Sequence, residues 1–172
     1  MGRLLRCQNR LSESKIALEK AIALDPNNPN SFLQFGITLV FLGEPAAALS
    51  YFEKRLQLDP HSPNHFFAYW WSGTANLLLG RTDEAVDFYR KARIANPRFP
   101  ASSLFLAAAF GLRGDIDEAK AALKEALKLR PDLNSLTGIL GSPNYRDMGS
   151  PQYFALREKT FAVGLRRAGM PE

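Results

Sequence analysis

Two histidines and one cysteine are the side chains whose types most readily suggest chemistry in this chain. His61 and His65 lie four residues apart, which could place both imidazoles on one helix face beside a metal ion. No third ligand follows at a spacing that completes such a site, so we expect surface histidines and no metal. Cys7 lies between Arg6 and Arg10, two cations that would favour a reactive thiolate at an exposed position. Without a histidine partner, this cysteine is predicted to be a small apolar residue and not a nucleophile.

Acid–base catalysis and nucleotide binding are not indicated either. Several acidic residues lie at predicted helix starts or on solvated faces, where the helix dipole alone accounts for them. They are Asp83, Glu84, Asp115, Asp117, Glu118 and Glu158. No glycine-rich loop ends in Lys-Ser or Lys-Thr, and no glycine triplet opens a strand–helix–strand unit. The sequence therefore predicts no catalytic residue, no cofactor and no enzymatic activity.

The composition is that of a folded protein with a mixed surface charge. Of the 172 residues, 46% are hydrophobic and 23% are charged, which excludes an intrinsically disordered chain. The net charge of +5 is spread along the sequence, so nucleic acid is not an expected partner. The longest apolar stretch, residues 104–112, is shorter than the roughly 18 to 20 residues that cross a bilayer, and the first residues lack the charged-then-apolar pattern of a leader. We therefore expect neither a membrane span nor a secretion signal. With a single cysteine, we expect a cytoplasmic protein that does not bind membranes.

The residues that could bind a partner become visible only through an internal repeat. Four prolines end helical patterns at spacings of 34, 37 and 34 residues: Pro26, Pro60, Pro97 and Pro131. Three glycines at the expected ends of first helices reproduce the last two spacings: Gly43, Gly80 and Gly114. Glycine favours the left-handed conformation that terminates a helix. A period of about 34 residues therefore indicates repeated pairs of helices.

Within each period, aromatic and small residues return at fixed distances before the proline. They are Phe32, Gly36, Ala48 and Phe52, then Tyr69, Gly73, Ala85 and Tyr89, then Ser103, Ala107, Ala119 and Leu123. With this pattern the chain resembles the tetratricopeptide repeat family over about residues 11 to 131. The resemblance implies an all-α fold, a right-handed superhelical solenoid of antiparallel helix pairs, closed by a C-terminal capping helix.

The repeat also suggests how the chain is divided. We predict a truncated repeat at residues 1–28 and full repeats at 29–62, 63–99 and 100–133, so that the solenoid spans 1–131. Residues 134–172 are predicted to form a loop and a capping helix at about 151–168, packed with the solenoid as one domain. Ser150 and Pro151 are the start signal of that helix. The three extra residues of the 37-residue step are expected to lengthen a first helix at its beginning, with Ser62 before it. The truncated first repeat favours a chain that is the C-terminal part of a longer protein.

The C-terminal residues carry a second resemblance. Residues 155–158 (ALRE), 164–172 (GLRRAGMPE) and 58–63 (LDPHSP) are similar to the C-terminal repeat region of bacterial class III adenylate cyclase-like regulatory proteins. In those multidomain proteins the repeats follow a catalytic or DNA-binding output domain. Because the chain includes none of the cyclase catalytic domain, the resemblance implies a regulatory module of a signalling protein and not cyclase activity.

The concave face of such a solenoid is built mainly from the first helix of each repeat, and it is the expected binding groove. The positions predicted to face it are Gln34, Ile37, Phe41, Trp70, Trp71, Thr74, Leu78, Phe105, Ala108 and Leu112. Mostly apolar, this set does not resemble the Lys, Asn and Arg clamp with which some family members hold a peptide C-terminus. Trp71 is expected to be exposed in the groove, whereas Trp70 could equally pack between neighbouring helices. Tryptophans are frequent hot spots of binding.

These observations predict a non-catalytic scaffold for a protein or peptide partner. The groove would bind an apolar or amphipathic segment, as part of a larger signalling protein. An alternative is self-association, in which a second copy covers the groove or the apolar surface of the truncated first repeat. The sequence is compatible with a groove that is open and with one that the C-terminal segment fills.

Overall fold

The structure is a computed structural model that describes residues 1–142 and 147–172. Pro143 and Asn144, which the sequence places in a loop, lie outside the described residues. Every regular element in the described part is a helix, which confirms the predicted all-α class. The elements are α1 (Gly2–Cys7), α2 (Leu11–Leu24), α3 (Pro29–Leu42), α4 (Pro45–Leu58), α5 (His65–Leu78), α6 (Thr82–Ala95), α7 (Pro100–Arg113), α8 (Ile116–Leu129), α9 (Leu136–Gly141), α10 (Pro151–Arg157), a π-helical turn (Glu158–Ala162) and α11 (Val163–Arg167). None of these helices has the length and apolar character that a bilayer crossing requires.

Helices α1 to α8 form four pairs. Each odd-numbered helix packs against the next helix in the chain, and each pair also contacts the following pair. Short connections join the two helices of a full repeat, so the helices of a pair run antiparallel. The pairs stack into a continuous solenoid with one shared hydrophobic core.

In the first two full repeats, a glycine of the first helix allows an aromatic residue of the second helix to reach its backbone. A Cβ atom on Gly36 would lie 2.5 Å from Cε1 of Phe52, and one on Gly73 would lie 2.7 Å from Cε1 of Tyr89. Phe52 and Tyr89 are fully buried at these contacts. The spacing of small and aromatic residues in the sequence therefore reflects direct contacts between the paired helices.

The turn glycines behave as predicted. They adopt left-handed φ angles of +84° at Gly43, +74° at Gly80 and +103° at Gly114. Gly43 directly follows the last residue of α3, and Gly114 directly follows the last residue of α7. The glycine spacing thus marks where the chain reverses between paired helices.

The prediction that the 37-residue step lengthens a first helix is wrong. Helix α5 has 14 residues, the same as α3 and α7. The extra length lies mainly in the connection before it: residues 59–64 separate α4 from α5, six residues where the connections before α3 and α7 have four. Ser62 therefore does not mark the start of the helix, which begins at His65 with Asn64 as the residue before it.

The C-terminal segment begins with the short helix α9 and continues with a longer helix whose start was predicted correctly. The hydroxyl of Ser150 accepts a hydrogen bond from the backbone N–H of Tyr153 at 3.1 Å, and Pro151 occupies the first helical position. Helix α10, the π-helical turn and α11 follow one another without a break, and we call residues 151–167 the C-terminal helix. The π turn inserts an extra residue into the helical period, and both Phe161 within it and Leu165 beyond it are buried.

Candidate functional site

The residues predicted to face the concave groove lie together on α3, α5 and α7. Eight of them are buried: Ile37, Phe41, Trp70, Trp71, Thr74, Leu78, Phe105 and Ala108. Gln34 and Leu112 are half-buried. The expectation that Trp71 is exposed is wrong, since only 6% of its surface is accessible.

The C-terminal helix buries this groove by lying across its first helices. Helix α10 contacts α3, the π turn contacts α5 and α7, and α11 contacts α7 and α8. The ring of Tyr153 meets that of Phe41 edge-on at 5.0 Å between centroids, and Phe161 lies 4.3 Å from Phe105. The groove therefore holds an amphipathic helix that belongs to the same chain.

The closest approach between groove and C-terminal helix occurs where two glycines bring the backbones together. A Cβ atom on Gly164 would lie 2.0 Å from the carbonyl oxygen of Ala108. A Cβ atom on Gly111 would lie 2.1 Å from the carbonyl oxygen of Gly164. No side chain larger than hydrogen fits at either position, so these glycines set how deeply the helix sits in the groove.

Backbone hydrogen bonds fix the segment at its two ends. The N–H of Ser150 donates to the carbonyl of Phe41 at 2.8 Å. At the other end, the N–H of Leu136 donates to the carbonyl of Pro171 at 2.7 Å, which ties the last residues of the chain to α9. Burial among these contacts raises the pKa of the Tyr153 phenol.

Both tryptophans of the groove keep an unused donor. Their rings meet at 4.7 Å between centroids and pack against Phe67 and Phe105. The Nε1 atoms of Trp70 and Trp71 are buried and find no hydrogen-bond acceptor among the described residues. Thr74, a polar member of the predicted groove, donates instead to the carbonyl of Trp70 at 2.9 Å. The groove thus offers two indole N–H groups that the C-terminal helix does not satisfy.

The N-terminal end of the groove contains a buried cation. Arg6 donates from Nη2 to Oε1 of Gln34 at 2.7 Å and from Nη1 to the backbone oxygen of Gln34 at 3.1 Å. Desolvation lowers the pKa of Arg6 to about 10. Cys7, its neighbour, is exposed. Within residues 1–142 and 147–172, no three His, Cys, Asp or Glu side chains come together as metal ligands would.

Family models for the tetratricopeptide repeat match this chain over residues 1–28, 33–102 and 76–136. Together the three matches cover residues 1–28 and 33–136, the part of the chain that forms the four helix pairs. The chain belongs to the tetratricopeptide repeat family. Its repeats supply the three first helices that form the groove.

Solved tetratricopeptide repeat structures share this fold. MamA from Desulfovibrio magneticus RS-1, from residue 41 to its end, aligns with a TM-score of 0.69 at 23% identity, covering 97% of this chain and 92% of MamA. PilW, a widely conserved type IV pilus biogenesis factor, aligns with a TM-score of 0.70 at 20% identity, covering 95% of this chain and 80% of PilW. YrrB, a tetratricopeptide repeat protein with an unusual peptide-binding site, aligns with a TM-score of 0.62 at 17% identity, covering 94% and 82%. These likenesses concern the fold. No curated protein sequence matches the chain.

Sequence reasoning missed the glycine contact that seats the C-terminal helix on the tetratricopeptide repeats. Gly164 lies four residues before Ala168, and Gly111 lies three after Ala108, so each helix carries a small-residue stripe. Such stripes allow close helix packing, and they were the signal that could have paired the two segments. Arg6 carried no comparable signal, because its acceptors Gln34 and Thr38 are contributed by a distant helix.

Proposed function

We propose that this tetratricopeptide repeat protein is a non-catalytic interaction scaffold whose concave groove binds an apolar or amphipathic helix of a partner protein, in place of its own C-terminal helix. The observation that carries the proposal is the fit of that helix in the groove. Residues that were predicted from the repeat to bind a partner, including Phe41 and Phe105, contact Tyr153 and Phe161 of the C-terminal helix.

The unused tryptophan donors support exchange of one helix for another. A buried donor without an acceptor costs about 1–3 kcal/mol, and both Trp70 Nε1 and Trp71 Nε1 are in this state. A partner helix that carries a hydroxyl or carboxamide oxygen opposite these indoles would recover part of that free energy. The groove could therefore bind such a partner more tightly than it binds its own C-terminal helix.

A labelled peptide of residues 150–172 provides a defined probe for the groove. Because the protein's own helix competes, we expect weak binding of this peptide to the wild-type chain, measured by fluorescence anisotropy. Gly164→Leu in the protein unseats its own helix, since a Cβ atom there would meet the Ala108 oxygen at 2.0 Å. The variant should bind the peptide about tenfold more tightly or better. Ala155→Leu changes an exposed residue of the same helix and serves as the matched control.

The groove residues are tested in the Gly164→Leu background. Adding Trp71→Ala should weaken peptide binding again, because the indole is buried where the helix packs. Circular dichroism establishes that each variant is folded. A folded Gly164→Leu protein that binds the peptide no better than wild type would refute the proposal, as would unchanged affinity after Trp71→Ala.

Self-association is a second candidate, because apolar side chains of the first repeat are exposed. Leu4 on α1 and Ile16 on α2 have 59% and 53% of their surfaces accessible. A second copy could cover them. Light scattering at several protein concentrations should then show a dimer that Ile16→Lys abolishes. A wild-type protein that stays monomeric at every concentration would eliminate this candidate.

A regulatory role in a larger signalling protein belongs to the same proposal. It rests only on the resemblance to adenylate cyclase-like regulators inferred from residues 155–158, 164–172 and 58–63, which the comparisons with known proteins do not show. The reading frame upstream of Met1 tests it. An in-frame output domain would support a regulatory module in the cytoplasm, and a stop codon with a ribosome-binding site would indicate a separate scaffold.

A further inference from the structure

One position of the first full repeat departs from the pattern of the other repeats. Five residues before each repeat proline, three repeats carry alanine, at Ala21, Ala92 and Ala126. The repeat that ends at Pro60 carries Arg55 at this position. Alanine suits this site because the second helix packs there against its neighbours, and Ala92 and Ala126 are fully buried. An arginine at such a position needs both space and partners.

Arg55 is buried and only partly satisfied. It has 5% of its surface accessible, and its Nη2 donates to the hydroxyl of Ser62 at 2.9 Å. Its Nη1 lies 3.5 Å from Oδ2 of Asp59 without the geometry of a hydrogen bond, and it finds no other acceptor among the described residues. A buried guanidinium with a free donor is costly for the protein and well suited to an anionic ligand.

The lengthened connection before α5 provides the space around Arg55. A pocket of about 510 Å³ lies between the first turns of α3 and α5, and we call it the Arg55 pocket. The polar residues of its lining are Asn30, Gln34, Arg55, Asp59, Ser62 and Asn64. Ser62 and Asn64 belong to the six-residue connection. The arginine therefore lies in the helix directly before the connection whose extra residues make room for it.

The lining of the Arg55 pocket combines polar and apolar walls. The amides of Asn30, Gln34 and Asn64 lie with the guanidinium of Arg55, and Phe66 belongs to the apolar wall. A guanidinium and amide groups can hydrogen-bond to a carboxylate and to the polar atoms beside it, whereas the aromatic wall can pack against an apolar group. No residue of the C-terminal helix contributes to this lining.

Asp59 lies beside Nη1 of Arg55, but an acidic residue at this position does not depend on the presence of the arginine. The residue before the repeat proline is also aspartate at Asp25, in a repeat that carries alanine in place of the arginine, and it is asparagine at Asn96. The Asp59 side chain is 41% accessible, so it can turn towards solvent. A ligand carboxylate could then take its place on Nη1.

We propose that the Arg55 pocket is a binding site for a carboxylate adjacent to an apolar group, such as the last residue of a peptide or a small apolar carboxylic acid. Its cation, Arg55, comes from the second helix of a repeat, at the position where the other repeats carry alanine. The first helices, which form the concave surface, do not contribute it. A single guanidinium beside Asp59 suits one negative charge, and a phosphate would bring about two. This site adjoins the groove, with which it shares Gln34, but no residue of the C-terminal helix lines it.

N-acetyl-leucine and N-acetyl-leucinamide form a matched pair of probes for the whole chain, because they differ only in the carboxylate. In a titration followed by amide chemical shifts, we expect N-acetyl-leucine to move the resonances of Ser62 and Asn64 and the side-chain N–H of Arg55. The amide should bind at least about tenfold more weakly. The tripeptide N-acetyl-Ala-Ala-Leu distinguishes the two sources: tighter binding than N-acetyl-leucine indicates a peptide C-terminus, and equal binding indicates a small acid.

Two substitutions should change the affinity in opposite directions. Arg55→Met keeps the length of the side chain and removes the cation, so binding of N-acetyl-leucine should be lost. Asp59→Asn introduces the residue found at Asn96 and removes the competing carboxylate, so binding should become several-fold tighter. Ala155→Leu, at an exposed position of the C-terminal helix, should leave the affinity unchanged.

Three results would overturn the proposal. The first is equal binding of the acid and the amide to the wild-type chain, or the absence of shifts at Ser62 and Asn64 with either. The second is inorganic phosphate binding at these residues as tightly as N-acetyl-leucine. The third is weaker binding after Asp59→Asn. The comparison of acid with amide needs no variant, so it decides the matter even if Arg55→Met does not fold.

Discussion

Replacing Gly164 with alanine should loosen the C-terminal helix while leaving the repeats intact. The new Cβ atom would lie 2.0 Å from the carbonyl oxygen of Ala108 and 2.7 Å from its carbon. Real Cβ atoms essentially never come closer than 3.0 Å to such neighbours, so the helix must move outward by about 1 Å or more. Both neighbours are backbone atoms of the buried helix α7, so they cannot move away by a side-chain rotation.

The expected free-energy change is the balance of two effects. Overpacking costs about 1–3 kcal/mol, and a rigid backbone contact places this substitution near the upper end. Alanine favours the helix over glycine by about 1 kcal/mol. The net loss is about 2 kcal/mol, which corresponds to a roughly 30-fold larger population of the detached C-terminal helix.

Hydrogen exchange followed by mass spectrometry measures this change directly. Amides of residues 155–167 should exchange roughly 30-fold faster in Gly164→Ala, whereas those of α6 should exchange as in wild type. Gly141→Ala is the control, because a Cβ atom there meets nothing within 4 Å. Unchanged or slower exchange of residues 155–167 in Gly164→Ala would refute the account of how the helix is seated.

Three further substitutions test other parts of the structure. Gly36→Ala places a Cβ atom 2.5 Å from the Phe52 ring and should lower the free energy of unfolding by about 1–3 kcal/mol in urea denaturation; a stability gain would contradict the helix-pair contact. Ser150→Ala removes the hydroxyl that accepts the Tyr153 N–H and should destabilise the C-terminal helix by about 1 kcal/mol. Amide hydrogen exchange should then become faster in that helix alone, and faster exchange throughout the chain would argue against a local role. Burial raises the pKa of Tyr153, so the folded state holds this proton more tightly than the unfolded state, and stability should fall as pH rises above about 10. Tyr153→Phe should lessen that alkaline loss in pH-dependent melting, and an identical pH profile would count against the burial of the phenol.

The solenoid could be predicted from the sequence because its determinants are local and repeated. Gly43, Gly80 and Gly114 mark turns that depend only on the backbone conformation of one residue. The contact of Gly36 with Phe52 involves residues 16 apart, and it recurs at Gly73 and Tyr89. A pattern repeated in several copies identifies such pairs without any knowledge of the three-dimensional structure.

The occupied groove could not be predicted in the same way. The contact between Phe105 and Phe161 joins residues 56 positions apart, and it occurs once in the chain. An amphipathic C-terminal helix can cap the last repeat or lie across the groove, because both choices bury the same apolar face. The backbone contact at Gly164 favours the groove, and only the structure brings that glycine to Ala108. The exposure predicted for Trp71 was wrong for this reason.

Arg55 illustrates a different limit of sequence reasoning. The repeat count placed the extra residues of the 37-residue step near Pro60, but it assigned them to a helix. The structure places most of them in a loop whose Ser62 accepts a hydrogen bond from Arg55. The departure from alanine at this position was visible in the sequence, and its meaning depended on the pocket that the loop creates.

Nuclear Overhauser effects between aromatic rings report whether the C-terminal helix occupies the concave groove. The ring centroids of Phe105 and Phe161 are 4.3 Å apart, and those of Phe41 and Tyr153 are 5.0 Å apart. Strong cross-peaks within both pairs in the wild-type protein are the result that the structure predicts. Absence of both sets, with the Phe41 to Trp71 cross-peaks of the groove itself still present, would contradict it.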